Sequence, residues 1–190
     1  MFRPNHFPQA IMDNTNPYLP PQADLIGEST QAEAIAEDVA VATFIGKKYD
    51  YYRHKWSGSE HKGSIISFNG GAFLFGFLWM AYRKMYKFCG IFIAVVVAET
   101  LLELALDLPS SLSSAISIAM TVCFGMFGNH LYKLHVEQKI REITAEGTPT
   151  LINAELARQG GTSFGAAIGF LVVLIIILGG LGFLMGGAEL

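Results

Sequence analysis

The sequence predicts an all-α membrane protein with three transmembrane helices, a re-entrant or interfacial helix and a cytoplasmic N-terminal amphipathic helix. Three observations predict it. Hydrophobic residues make up 52% of the 190-residue chain and charged residues only 15%, a departure from the balance of soluble proteins. The positive mean hydropathy of +0.39 comes from apolar blocks after residue 87, whereas residues 1–62 have ordinary polarity. Between them, Phe68 to Lys87 reads FNGGAFLFGFLWMAYRKMYK, packing glycines, aromatics and a terminal basic cluster into one membrane-seeking block.

Residues 1–28 read as a disordered proline-rich tail. They hold Pro4, Pro8, Pro17, Pro20 and Pro21, which break helices and favour extended, solvated chain. Within it, Asn16 to Pro21 is either a plain leader or a short recognition strip carrying Tyr18. The start lacks the basic and apolar regions of a signal peptide, so the head is expected in the cytoplasm. Residues 29–62 form the amphipathic helix. Thr30 and Glu33 have capping-box spacing, which starts the helix near residue 30, and it is expected to run toward Trp56. Ile35, Val39 and Ala42 recur on one side, and Tyr49, Tyr52 and Trp56 continue an aromatic flank among Lys48, Arg53 and Lys55. That mixture suits a membrane surface, or packing on the protein's own cytoplasmic elements.

Residues 63–87 are the re-entrant or interfacial block. The run from Ala72 to Met80 is too short to cross a bilayer, and it ends in Tyr82, Arg83, Lys84 and Lys87. Trp56, Trp79, Tyr82, Arg83 and Lys84 are the expected interfacial anchors. Residues 88–129 form a transmembrane hairpin, with Phe88 to Leu106 crossing, Asp107 to Ser111 turning and Leu112 to Phe127 returning. Residues 130–161 are a cytoplasmic helical connector, punctuated by Gly147, Pro149, Gly160 and Gly161. Residues 162–190 carry the C-terminal transmembrane helix, Phe164 to Met185. Arg83, Lys84 and Lys87 precede the first span and Lys133, Lys139 and Arg141 follow the second. That places the N-terminus in the cytoplasm and the C-terminus outside.

Glu99, Glu103 and Asp107 fall at i, i+4 and i+8, an acidic stripe on one face of the first span. An ionised acid at mid-bilayer costs a few kcal/mol, so such residues face protein or water and are functional candidates. Ser114, Ser117 and Thr121 on the return span are spaced to face the stripe and offer hydroxyls. The acids serve as protonated interhelical glue, as a cation or proton path, or as a docking site for a partner's basic residue. Gly165 with Gly169, and Gly182 with Gly186, form GxxxG pairs for close helix packing, within the chain or with another. Cys89 and Cys123 lie in apolar segments and read as packing residues. No two of the five histidines lie four apart, and no GxSxG, P-loop, HExxH or CxxC pattern occurs. No cofactor, metal or catalytic set is expected, and the modest basic collar at residues 47–62 suits anionic lipid rather than nucleic acid.

The block Phe68-Asn69-Gly70-Gly71-Ala72-Phe73-Leu74-Phe75-Gly76-Phe77-Leu78-Trp79-Met80-Ala81-Tyr82-Arg83-Lys84-Met85, with the later Gly128-Asn129-His130-Leu131-Tyr132, resembles a family of small bacterial inner-membrane proteins of unknown function. The resemblance covers about residues 47–145. Phe68 departs from it, standing where tryptophan is frequent. The resemblance implies a bacterial inner membrane and nothing about activity. The functional expectation is a non-catalytic accessory or scaffold subunit that meets lipids and other membrane proteins or itself. The alternative is a small transporter or proton-conducting protein built on Glu99 and Glu103.

Overall fold

A computed structural model describes residues 22–106, 109–148 and 150–186, and the described residues fall into two units divided between Glu37 and Asp38. The elements are helical: α1 (Gln22–Ile45), a 3-10 turn (Gly46–Lys48), α2 (Tyr49–His61), α3 (Gly70–Phe75), α4 (Phe77–Tyr82), α5 (Tyr86–Leu106), α6 (Ser110–Glu146), α7 (Ile152–Gln159) and α8 (Phe164–Gly186). Most of the expected proline-rich tail, residues 1–21, lies outside the described residues, as does Asp107.

In the first unit the described chain is the N-terminal part of α1. The helix is already formed at Gln22, so Thr30 and Glu33 sit inside it rather than at its cap. The residues ahead of Thr30 tolerate helix, and the glycine among them, Gly27, lowers helix propensity by only about 1 kcal/mol. Ile35 is exposed.

The second unit opens with the end of α1, where Val39 is exposed but Phe44 and Ile45 are buried. The single helix expected from residue 30 to Trp56 is broken at Gly46, whose φ of +69° is open to glycine and strained for other residues. The chain then turns into α2, whose aromatic side faces inward. Tyr52 and Trp56 pack on Tyr132 of α6, with ring centroids 4.6 and 6.1 Å apart. Tyr52 and Trp56 of the aromatic flank thus pack on the protein's own α6.

The block from Phe68 to Lys87 folds as two short helices. Gly76 joins α3 to α4 with φ +48° and ψ −120°, a backbone that only glycine adopts readily. The break folds α4 back, so that a Cβ at Gly71 would lie 3.1 Å from the Trp79 ring. The tip of the hairpin is apolar and uncovered, with Leu74 73% exposed and Phe75 exposed beside it. Its base is packed: α3 lies on α6, and α4 lies against α5 and α8.

Two helices, Ser114–Glu146 and Phe164–Phe183, are long and apolar enough to cross a membrane. At 1.5 Å per residue, α6 is about 55 Å long, well beyond the hydrocarbon thickness of about 30 Å. Its first half, up to Phe127, has mostly exposed apolar side chains. Its second half carries Tyr132, Val136, Ile140 and Ile143 into the core. Lys87 at the start of α5 pairs with Glu142 near the end of α6 at 3.1 Å, and Lys133 pairs with Glu60 of α2. The basic segments that flank the apolar stretches therefore meet at one end of the second unit. Alpha-helix 7 closes that end through Leu156, and the chain passes close enough there that a Cβ at Gly160 would fall 2.0 Å from the Phe44 carbonyl.

Candidate functional site

A buried polar cluster lies where α2, α3, α4 and α6 converge. Asn69 caps α3, its Oδ1 accepting the Ala72 N–H at 3.0 Å, as expected of an N-cap asparagine. Its Nδ2 donates to Asn129 Oδ1 on α6 at 2.8 Å. Asn129 in turn donates from Nδ2 to the Ser67 carbonyl and hydroxyl, at 3.2 and 3.1 Å, and its own carbonyl accepts the Trp56 indole N–H at 2.9 Å. The backbone takes part as well, with the N–H groups of Ser67 and Asn69 donating to the carbonyls of Met126 and Gly125. Such close approach needs small residues. A Cβ at Gly128 would stand 2.6 Å from the Ala72 Cβ, and one at Gly125 would stand 2.9 Å from the Phe73 ring.

Beside the cluster lies Arg83, only 6% exposed. It follows α4, which ends in a paired cap: the Lys84 N–H reaches the Ala81 carbonyl and the Met85 N–H reaches the Met80 carbonyl. Lys84 takes the left-handed conformation at φ 59°, where glycine is usual, and its ammonium donates to the Arg158 carbonyl at 2.9 Å. Arg83 falls on the same face of α4 as buried Trp79 and Met80, four and three residues before it. Its guanidinium carbon sits 4.8 Å from the Tyr52 ring centroid, 5.2 Å from that of Tyr132 and 5.8 Å from that of Tyr82. Among the described residues no carboxylate pairs with it. Its buried Nε and Nη1, and the buried Tyr132 hydroxyl, have no hydrogen-bond partner there. The charge is held by aromatic faces, a desolvated cation–π arrangement worth up to about 2 kcal/mol per favourable ring. Burial pushes the Tyr52 phenol above its ordinary value of 10.0, and the neighbouring guanidinium pulls against that rise. The cage is a cationic interior site.

Several expected anchors belong to this interior. Trp79 and Arg83, expected at a headgroup boundary, are buried instead, because the break at Gly76 folds α4 back onto α3 and sets the face that carries both residues against the core. Trp56 is half-buried with its N–H used internally. Tyr82 packs its ring 4.8 Å from that of Phe164.

The acidic stripe is placed differently. Glu99 and Glu103 lie on α5, half-buried, with no hydrogen bond or ion pair among the described residues; Asp107 lies outside those residues. The Thr121 hydroxyl donates to the Ser117 carbonyl of its own helix at 2.9 Å, and no hydrogen bond joins Ser117 or Thr121 to the acids. Ser114, on the same helix, is exposed. Along α8, a Cβ at Gly169 or Gly182 would meet nothing within 4 Å, and Gly165 approaches only the Ser163 hydroxyl; Gly186 ends the helix. Close packing within the chain is carried instead by Gly71, Gly125, Gly128 and Gly160. Cys89 is buried and Cys123 exposed. Among the described residues no three His, Cys, Asp or Glu side chains converge as metal ligands.

These features define a helical protein with two helices of membrane-crossing length and a polar interior cluster built on asparagines, tyrosines and one arginine. The chain belongs to the family described as "Protein of unknown function (DUF2628)", whose model matches residues 28–138, more than half of its length. No curated protein and no solved structure matches the chain. The match takes in Asn69, Arg83, Asn129 and Tyr132. Sequence reasoning singled out both stretches that hold these residues but not their pairing. The available signal was the coincidence of a short polar residue with small neighbours, Asn69 beside Gly70-Gly71-Ala72 and Asn129 beside Gly128.

Proposed function

We propose that this chain is a non-catalytic integral membrane subunit, an accessory or scaffold that docks onto other membrane proteins or onto itself. The observation that carries it is α8, whose apolar surface is left uncovered almost throughout, from Phe164 (75% exposed) to Phe183 (80% exposed). In water such a surface would be a severe aggregation liability, whereas lipid and neighbouring transmembrane helices cover it without cost. Gly169 and Gly182 add places where another helix backbone can approach closely. In this reading α5, the first half of α6 and α8 cross the membrane, and the α3–α4 hairpin dips its Leu74–Phe75 tip into it. The meeting of Lys87, Lys133 and Lys139 at one end supports the cytoplasmic placement of that end, with the C-terminus periplasmic in a bacterial inner membrane. The test is in-membrane crosslinking from photoreactive residues at positions 169 and 182. A discrete adduct, with a second copy or with one membrane protein, is expected. A lone monomer both in the membrane and in mild detergent would end the proposal.

A second reading is kept by one observation: Glu99 and Glu103 are half-buried on an apolar helix without a partner among the described residues. A small cation or proton conductor would use such acids. In vesicles, Glu99→Gln with Glu103→Gln should abolish a proton or cation flux that the unaltered protein supports. Unchanged flux would remove this reading.

A further inference from the structure

A cleft of about 250 Å³ lies between the end of α2, the 62–69 loop and α6. We propose that it holds the headgroup of a phosphoethanolamine lipid. This rests on the membrane reading of the chain. The cleft sits where α6 passes from apolar (Met126, Phe127) to polar (Asn129, His130, Lys133) sequence, the level at which headgroups lie if the first half of α6 is in lipid. Exposed Ile65 lines it, and exposed Ile66 and Phe68 follow in the chain, apolar side chains suited to an acyl chain.

The lining is complementary to a zwitterion. Ser64 Oγ already accepts the Ile66 N–H at 3.1 Å, and Ser67 Oγ accepts Asn129 Nδ2 at 3.1 Å. Each hydroxyl therefore has its proton left to donate, which suits phosphate oxygens. Lys133 and Glu60 line the same cleft and pair with each other. A phosphoethanolamine can exchange the Lys133–Glu60 pair for two, its phosphate on Lys133, which Glu137 also reaches at 3.7 Å, and its ammonium on Glu60, with no net charge introduced. An anionic headgroup would strip Glu60 of its partner, and a quaternary ammonium has no N–H to give the carboxylate. The Trp56 ring closes the cleft on one side, its N–H already committed to Asn129.

The experiment is native mass spectrometry of the full chain, released from detergent after equilibration with phosphatidylethanolamine, phosphatidylglycerol or phosphatidylcholine. Retention of phosphatidylethanolamine should exceed that of the other two by roughly two- to fivefold, the scale of one partly exposed ion pair. Glu60→Gln should bring the ethanolamine-to-glycerol ratio to about one, and Lys133→Gln should lower retention of both lipids. A loss of fold would also level the ratio, so Glu60→Gln is read beside Glu60→Asp, which keeps the carboxylate and should keep the preference; a levelled ratio there too would overturn the proposal. Water-soluble phosphoethanolamine at equal concentration should fail to displace the lipid. Equal retention of the three lipids, a ratio unmoved by Glu60→Gln, or displacement by the soluble headgroup would each overturn the proposal. Resistance of the protein to alkaline extraction from membranes is scored separately. It fails only if the membrane reading fails, so the two are distinguishable.

Discussion

Arg83 is held by two opposed effects: three tyrosine rings favour the guanidinium, while buried Nε and Nη1 groups without acceptors oppose it. Truncation and neutral replacement separate them. Arg83→Ala removes both the charge and the packed side chain, and should destabilise by about 2–4 kcal/mol, the range for opening a cavity under a large buried side chain. Arg83→Met keeps much of the volume and removes the unpaired donors, and should cost no more than about half as much. Thermal unfolding in one detergent compares the two, and an equal loss would mean that the charge itself, not the packing, holds the cage. None of this could be read from sequence alone. An Arg-Lys pair after an apolar run is the ordinary pattern of a headgroup anchor. What puts Arg83 inward is its place on the buried face of α4, three residues after Met80 and four after Trp79, a face known to be buried only once the helix is docked.

Among the elements, the glycines divide into those that face a neighbour and those that face open space. Gly128→Ala would place a methyl 2.6 Å from the Ala72 Cβ, forcing α3 away from α6, and should cost about 1–3 kcal/mol. Gly169→Ala meets nothing and should leave the isolated chain unchanged or more stable by up to about 1 kcal/mol. Unfolding of purified monomer checks both. If Gly169→Ala instead weakens self-association without touching monomer stability, the stripe on α8 is a docking face. Spacing marked the α8 glycines because GxxxG is a pattern, whereas Gly125 and Gly128 lie three apart and are identified only by what crosses them. Helix α7 carries a pH dependence of its own. Arg158, first, and Gln159 hold the Glu155 carboxyl at about 2, below its ordinary 4.5. A depressed carboxyl contributes stability that is full above the ordinary value and lost as pH falls through the lowered one. Protection of the Ile152–Gln159 amides, corrected for intrinsic exchange, should therefore be flat down to about pH 4.5 and decline below it. Glu155→Gln should remove that decline, and an unchanged decline would assign it to another group.

For the whole molecule, the all-helical class was legible because apolar blocks of this length admit few other solutions. The grouping of the basic segments at one end was legible too, through the positive charges that flank those blocks. The polar core was not, since it is assembled from residues some sixty positions apart, Asn69 with Asn129 and Trp56 with the Asn129 carbonyl. Long-range pairings of this kind leave no local period. The two cysteines test the membrane setting with no mutation. Cys89 is covered by protein, and Cys123 is exposed on the apolar half of α6. Exposure to lipid and exposure to water have opposite consequences for a charged reagent. In intact membranes a sulfonated maleimide should label neither cysteine, since a Cys123 that faces lipid meets neither the reagent nor the water that would ionise its thiol. Denaturation in detergent should then admit the charged reagent to both. Rapid labelling of Cys123 by the sulfonated reagent in intact membranes would place the first half of α6 in water, and the membrane reading would fall with it.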